Sequence, residues 1–306
     1  SVTMCAPPNF GSWIQGLAFP FEPAGMDFQA FIAEHGTSIR AAMPVLRAEI
    51  DKQFQKALAA GDTIKTIPIT VFNDLLETGE LSDNYRPTLY DFIAQEALAF
   101  YTSGEEAAVK PQDAFEISAD SEIFEPVAKF MDWRPDTGDT DSPIVKTIGL
   151  YQALLRFHQK DADPTAFRDV DLARLVYGHN TAFGENKSAR FKAALAQVAE
   201  QWKDHELSAM ALFHWARTVR EEGDLVEAHR LAARGAQAFP ASAGARQCHN
   251  LVVELEAKAA RPGNEWWAVS LKRTWLRLII LAASALLYAA AFPPLNWQGA
   301  GWFGII

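Results

Sequence analysis

The sequence predicts an all-α protein: helical hairpins stacked as a solenoid, at least one of them a repeat unit of two helices, followed by a C-terminal candidate transmembrane helix. Three observations lead there. Apolar residues recur at helical spacing from residue 27 to about 260, and strand-like alternation is nearly absent. The stretch 209–242 has the length and small-residue pattern of a helical repeat. Residues 266–306 contain no acid, and their only charges are Lys272, Arg273 and Arg277.

The 306 residues allow one large or two ordinary domains. A formal net charge of −10 argues against a nucleic-acid partner, which requires a clustered basic face. The acid is concentrated: between Ser103 and Asp141 eleven Asp or Glu stand against three Lys or Arg. Cys5 and Cys248 are too few for a disulfide framework and the wrong number for a zinc site; they are either one disulfide or two unrelated thiols. The chain opens on Ser1 without a charged-then-apolar leader, so a signal peptide was removed or the chain is a fragment.

Residues 1–26 form an irregular N-terminal segment, because prolines at 7, 8, 20 and 23 and glycines at 11, 16 and 25 prevent long regular elements. The helical domain follows over 27–260. "TSIRAAMPVLRAEIDKQFQKALAAG" starts polar at Thr37 or Ser38, places Val45, Ile50, Phe54 and Leu58 on one face and stops at Gly61; Pro44 suits its first turn. "TIKTIPITVF", 63–72, is the one strand candidate, and Pro68 demotes it. In "RPTLYDFIAQEALAFYTSG", Thr88 caps with Asp91 three residues on, and Leu89, Phe92, Ile93, Ala97 and Phe100 line a face. "DSPIVKTIGLYQALLRFHQKD" has Ser142 as cap, Pro143 as first helical residue and a face of Ile144, Ile148, Tyr151 and Leu155. Further helices are predicted over 121–131, 164–180, 186–202, 207–222, 225–238 and 242–259. The acidic stretch Asp132–Pro143 lacks the alternating spacing and distal Glu of a calcium loop and reads as a solvated connection.

"AMALFHWARTVREEGDLVEAHRLAARGAQAFPAS", Ala209–Ser242, is 34 residues long, the tetratricopeptide period. Leu212, Trp215, Ala216 and Val219 fall at i, i+3, i+4 and i+7, the buried face of its first helix. Gly223 stops that helix and Asp224 caps the next. Ala228, Ala232 and Gly235 give the second helix a small-residue face for close approach, and Pro240 ends it. These residues, Asp224 apart, are the predicted repeat core. One such hairpin cannot bury its own faces, so 143–160, 164–180 and 242–259 are its natural neighbours, in a degenerate array whose surface binds a protein partner.

The residues carry no recognisable chemistry. The histidines, at 35, 158, 179, 205, 214, 229 and 249, form no HExxH or other metal pattern. Cys248 and His249 are adjacent on a predicted helix and point apart. There is no GxSxG, no phosphate-binding loop and no GxGxxG after a strand. "YGHNTAFGENK", 177–187, reads as a helix end and a turn. No catalytic residue, cofactor or metal is therefore expected.

Residues 46–258 resemble the N-terminal helical region of large bacterial alpha-2-macroglobulin-like proteins. The resemblance rests on "AEIDKQFQKALA", "YRPTLYDFIAQEALAFY", "DAFEISADSEIFEPVAKF", "LYQALLRFHQKD", "DLARLVYGHNTAFGENKSARFKAAL" and "ARQCHNLVVELEAK". It implies an extracytoplasmic, often lipid-anchored protein of protease-trapping type. The family's thioester, bait region and β-sandwich domains have no counterpart in this sequence, so no trapping residue carries over.

After Lys258 the sequence changes. A linker and basic juxtamembrane segment, 261–274, leads to 275–306, a transmembrane helix and the start of a second membrane segment. Trp275, Arg277, Leu278 and Phe292 are its anchors: Arg277 and the tryptophans suit the headgroup zone, and the apolar run from Leu278 to Phe292 ends before Pro293. The other reading is a buried helix or a terminal interfacial hairpin. "AAAFPPLNW" and "GWFGII" make 266–306 similar to the start of bacterial apolipoprotein N-acyltransferase, whose catalytic residues lie in a later domain and have no match in these residues. Lys272, Arg273 and Arg277 put the preceding residues in the cytoplasm, whereas the macroglobulin-like resemblance puts them outside. A joined reading frame, truncated at both ends with a seam between about Lys258 and Trp266, accounts for that conflict.

The expected function is thus a non-catalytic scaffold or interaction module of a macroglobulin-like protein. The alternatives are an N-terminally extended N-acyltransferase lacking its catalytic domain, and a membrane-tethered tetratricopeptide-like adaptor.

Overall fold

A computed structural model describes residues 45–76, 82–103 and 114–260. The chain divides into two units, Ser1–His249 and Asn250–Ile306; of the second, residues 250–260 are described and are helical.

The described residues are all-α. Helix α1 covers 45–59, α2 Gly61–Ile64 and α3 Leu89–Thr102. Next come α4, Val127–Asp132, α5, Pro143–His158, and α6, Thr165–Thr181. Then follow α7, Lys187–Gln201, α8, Leu207–Glu221, α9, Leu225–Ala238, and α10, Ala243–Ala260. Short 3₁₀ turns occupy Ile69–Phe72, Asp83–Tyr85 and Glu122–Phe124. No strand occurs among the described residues; pairing is limited to isolated bridges at Pro68–Thr88 and Ser118–Phe183.

Local chemistry sets the helix starts. At α3, Thr88 accepts from the Asp91 amide at 3.4 Å while the Asp91 carboxylate accepts from the Thr88 amide at 2.9 Å, a reciprocal capping box. At α5, Pro143 is the first helical residue, where its missing N–H is no loss. At α9, Asp224 accepts from the Glu227 amide at 3.0 Å. Gly223 just before it has φ +91°, a left-handed conformation that side chains resist, and this reverses the chain between α8 and α9.

Packing is sequential. From α5 to α9 each helix lies against the next, α6 also meets α8, and α3 packs on α5. Leu154, Leu155, Leu175, Leu195 and Leu231 are fully buried in these layers. Helix α1 reaches α3 through the Phe54 and Phe100 rings, 5.6 Å apart, and through Asp51, which accepts from Tyr101 at 2.6 Å and Lys146 at 2.9 Å.

Several expectations need correction. Gly61 does not end the first helix in a loop; it opens α2. Val45 is exposed and Ile50, Phe54 and Leu58 are only partly covered, because α1 meets α3 mainly through one aromatic pair and a polar hub. The strand candidate 63–72 is a run of helical turns around Pro68. The helix predicted over 121–131 is split at Glu125–Pro126, where Pro126 stands in extended backbone before α4. On α3 the buried positions are Tyr90, Asp91, Ala94, Ala97 and Leu98; of the predicted face only Ala97 is among them. That helix is contacted on two sides, so Phe92, Ile93 and Phe100 share partial cover. Ile144 is likewise half-buried, while Ile148, Tyr151 and Leu155 are buried.

The segment 1–26, Cys5, Pro44, the linker 261–274 and the membrane anchors Trp275, Arg277, Leu278 and Phe292 lie outside the described residues. Among the described residues no helix is long and apolar enough to cross a membrane.

Candidate functional site

The densest polar constellation surrounds the turn between α5 and α6, residues 159–164. Helix α5 ends on His158, whose side chain is 1 % exposed. Its Nε2 lies 2.7 Å from Oδ1 of Asp91 on α3, and its Nδ1 lies 2.7 Å from Oδ2 of Asp161 in the turn. Asp91 is fixed from behind, since its other oxygen accepts from the Thr88 amide and from the Thr88 hydroxyl at 2.8 Å. The N-cap of one helix and the C-terminus of another are thus joined through a single imidazole. The two carboxylates hold the His158 pKa above its ordinary value against the opposing pull of burial, which is the largest single influence on it.

Two residues further on, Asp163 performs a parallel task. It accepts from Asn84 at 2.9 Å and from both the amide and the hydroxyl of Thr165, at 3.0 and 2.6 Å. The two Thr165 bonds, hydroxyl first, depress its pKa. The Thr165 hydroxyl also lies 3.0 Å from Nε2 of His205, in the α7–α8 connection. The Leu207 amide donates to Nδ1 of His205 at 3.2 Å, which assigns the Nε2–H tautomer. Burial, then the Arg168 charge, lowers the His205 pKa. Beside it the Tyr85 hydroxyl donates to Glu206 at 2.7 Å. The turn and the two helix ends that flank it, His158 and Thr165, are therefore tied to α3, to the 3₁₀ turn at Asp83–Tyr85 and to the α7–α8 connection.

Both histidines resemble general bases in their carboxylate and hydroxyl neighbours. Chemically they are occupied. Carboxylates take both nitrogens of His158; an amide and a hydroxyl take both nitrogens of His205. Neither presents a free lone pair to a substrate, so the arrangement suits clamping of chain segments.

Other buried charges are structural in the same sense. Arg174, 1 % exposed, donates to Asp171 at 2.7 Å and to the Ile123 carbonyl at 2.6 Å, with its guanidinium 4.9 Å from the Phe130 ring centre. His214 on α8 is held neutral: burial first, then the Arg217 and His179 charges, push its pKa down to about 4. Cys248 is a buried free thiol that donates to the Ala209 carbonyl at 3.4 Å, and burial pushes its pKa up to about 12. Among the described residues no group of three or more His, Cys, Asp or Glu is placed to hold a metal ion.

The predicted repeat core is distributed as follows. Leu212, Ala216 and Val219 of α8 and Ala228, Ala232 and Gly235 of α9 are buried. A Cβ on Gly235 would collide with Cys248 Sγ and come within 3.2 Å of Leu212 Cβ, so α8, α9 and the start of α10 converge there. Gly223 lies in the reversal between the two helices, and Pro240 is exposed after α9 has ended at Ala238. Trp215 is only partly buried.

Sequence reading gave His158, His205 and their carboxylates no joint role. Local signals for half of the network were present: Asp91 three residues after Thr88, and Asp161 three residues after His158. The approach of Asp91 to His158, sixty-seven positions apart, had no local signal.

The fold defines an all-α protein of sequentially packed helices. Set beside known protein families, curated proteins and solved structures, the chain matches none of them.

Proposed function

We propose that residues 27–260 are a non-catalytic, tetratricopeptide-like helical scaffold that binds a protein partner, and that they form the helical part of a bacterial alpha-2-macroglobulin-like protein of protease-inhibitor type. The observation that supports a scaffold is the order of packing. Consecutive helices from α5 to α9 pack on one another, α6 also reaches α8, and the 34-residue stretch 209–242 forms one closely packed pair within that series. The occupied histidines agree with it, because each spends its nitrogens on holding segments together. In the alternative reading, a membrane-tethered tetratricopeptide-like adaptor, residues 275–306 are the tether.

Photocrosslinking tests the binding role. A photoreactive residue placed at exposed Val226 on α9, Phe183 after α6 or Val71 is expected to capture a discrete protein in cells from at least one position. Absence of any adduct from all three, with the protein folded and abundant, refutes a partner-binding surface on this array. Deleting 275–306 is expected to move the chain from the membrane fraction to the supernatant; unchanged fractionation refutes the tether.

A further inference from the structure

We propose that the Asp91–His158–Asp161 cluster is a proton-operated latch, in which one bound proton fastens the 159–164 turn to the N-terminus of α3 and its release lets Asp161 and the turn detach.

The geometry sets the proton count. A neutral imidazole has one N–H and one lone pair. Both His158 nitrogens lie 2.7 Å from carboxylate oxygens. With a neutral ring one contact is a hydrogen bond, and the other sets a lone pair against an anionic oxygen at the same distance. With a doubly protonated ring both are charge-assisted hydrogen bonds, and 2.7 Å is the length expected of them. The cluster as folded is therefore an imidazolium between two carboxylates.

The groups around the ring fix which partner leaves. Asp91, on α3, is buried and held by Thr88 through its second oxygen. Asp161 has a side chain 39 % exposed and, among the described residues, no comparable second anchor, so water replaces the ring at little cost. Loss of the proton leaves His158 donating to Asp91 and turns Asp161 outward. Among the described residues no other charge has the same hold on the ring. Lys65 sits over the Tyr90 and Phe157 rings, 4.7 and 5.3 Å from their centres. On α6, Asp171 and Arg174 close on each other, and on α4, Lys129 pairs with Glu125. Asp163 is engaged by Asn84 and Thr165. Arg156, on α5 itself, donates to the Met131 carbonyl.

The direction follows from linkage. His158 binds its proton more tightly folded than unfolded, so the latch is fully closed below its ordinary value of 6.5 and opens as pH climbs through the raised folded value. Such a latch tightens in acid and loosens in alkali.

The test uses the full chain labelled with ¹⁵N-histidine, His158 being assigned from a His158→Gln variant. Below pH 6.5 the ring is expected to show the imidazolium pattern, and to lose its proton at a higher pH than the same histidine in the unfolded chain. Asp161→Asn, at a half-exposed position that leaves the core intact, is expected to lower that midpoint. Hydrogen-exchange protection across 159–164, corrected for intrinsic rates, is expected to fall about tenfold through the same midpoint, the scale of one lost charge-assisted hydrogen bond. In Asp161→Asn it is expected to be low throughout. A His158 ring that titrates at or below its ordinary value overturns the latch, as does a midpoint unmoved by Asp161→Asn or protection that does not follow the titration.

Discussion

Gly244, the second residue of α10, sits against the backbone of α8, and adding one methyl group there puts two effects of opposite sign in competition. An ideal Cβ at 244 would overlap Met210 N and lie 2.8 Å from Met210 Cα and 2.9 Å from Ala209 C. Carbon atoms in contact settle at about 3.5–4.0 Å, so one helix must retreat by roughly 1 Å. Backbone atoms cannot rotate aside as a side chain would. Overpacking of this kind costs about 1–3 kcal/mol. Against it stands the preference of helices for Ala over Gly, about 1 kcal/mol in an interior and less in a first turn. Gly244→Ala should therefore destabilise by about 1–2 kcal/mol. Gly149, exposed in the middle of α5 with no heavy atom within 4 Å of its would-be Cβ, is the matching control. Only propensity acts there, and Gly149→Ala should stabilise by up to about 1 kcal/mol. Urea denaturation of the full chain, followed by circular dichroism, reads both as midpoint shifts at constant slope. If Gly244→Ala raises the midpoint as Gly149→Ala does, the close approach of α8 and α10 is wrong.

His214 should make the protein acid-sensitive. Its stabilising neutrality is complete above about pH 6.5 and is lost as pH falls toward its folded value of about 4, a difference worth about 3 kcal/mol. His214→Phe should flatten that part of the curve of denaturation midpoint against pH; an equal slope in both proteins refutes the assignment. Arg174→Ala should cost about 3–5 kcal/mol in the same denaturation assay, because it strands the Asp171 carboxylate in the core, whereas a loss below about 1 kcal/mol would show the pair to be dispensable. Cys248 should resist a thiol reagent in the native protein and react on unfolding, since burial holds its thiol at about 12. Peptide mass spectrometry that finds equal rates in the two states would refute its burial.

Helix existence was the most legible feature of the sequence. Signals read within four or five residues, such as Thr88 with Asp91, Pro143, and Gly223 before Asp224, lie where α3, α5 and α9 begin, although Ser142 holds the N-cap position of α5 without the expected side-chain capping bond. They act over one turn, so the local sequence contains all the information they need. Faces were less legible. On α3 the predicted stripe was displaced by about one residue, because contact on two sides of a helix spreads burial beyond a single stripe. Trp215 shows the same limit: its spacing places it on the inner face, yet it is only partly buried. The candidate site was hidden almost entirely. His158 and Asp161 are near in sequence, but Asp91 arrives from a helix that packs on α5 only once the chain has folded.

The sequence by itself determined that this protein is helical, where α3, α5 and α9 start and that α8 and α9 pair through small residues, because spacing, caps and glycine act locally. Tertiary structure decided which histidines meet which carboxylates, and so which charges are held in the core. Hydrogen bonds of 2.7 Å between residues far apart in the chain depend on helix packing, and no local pattern encodes that distance.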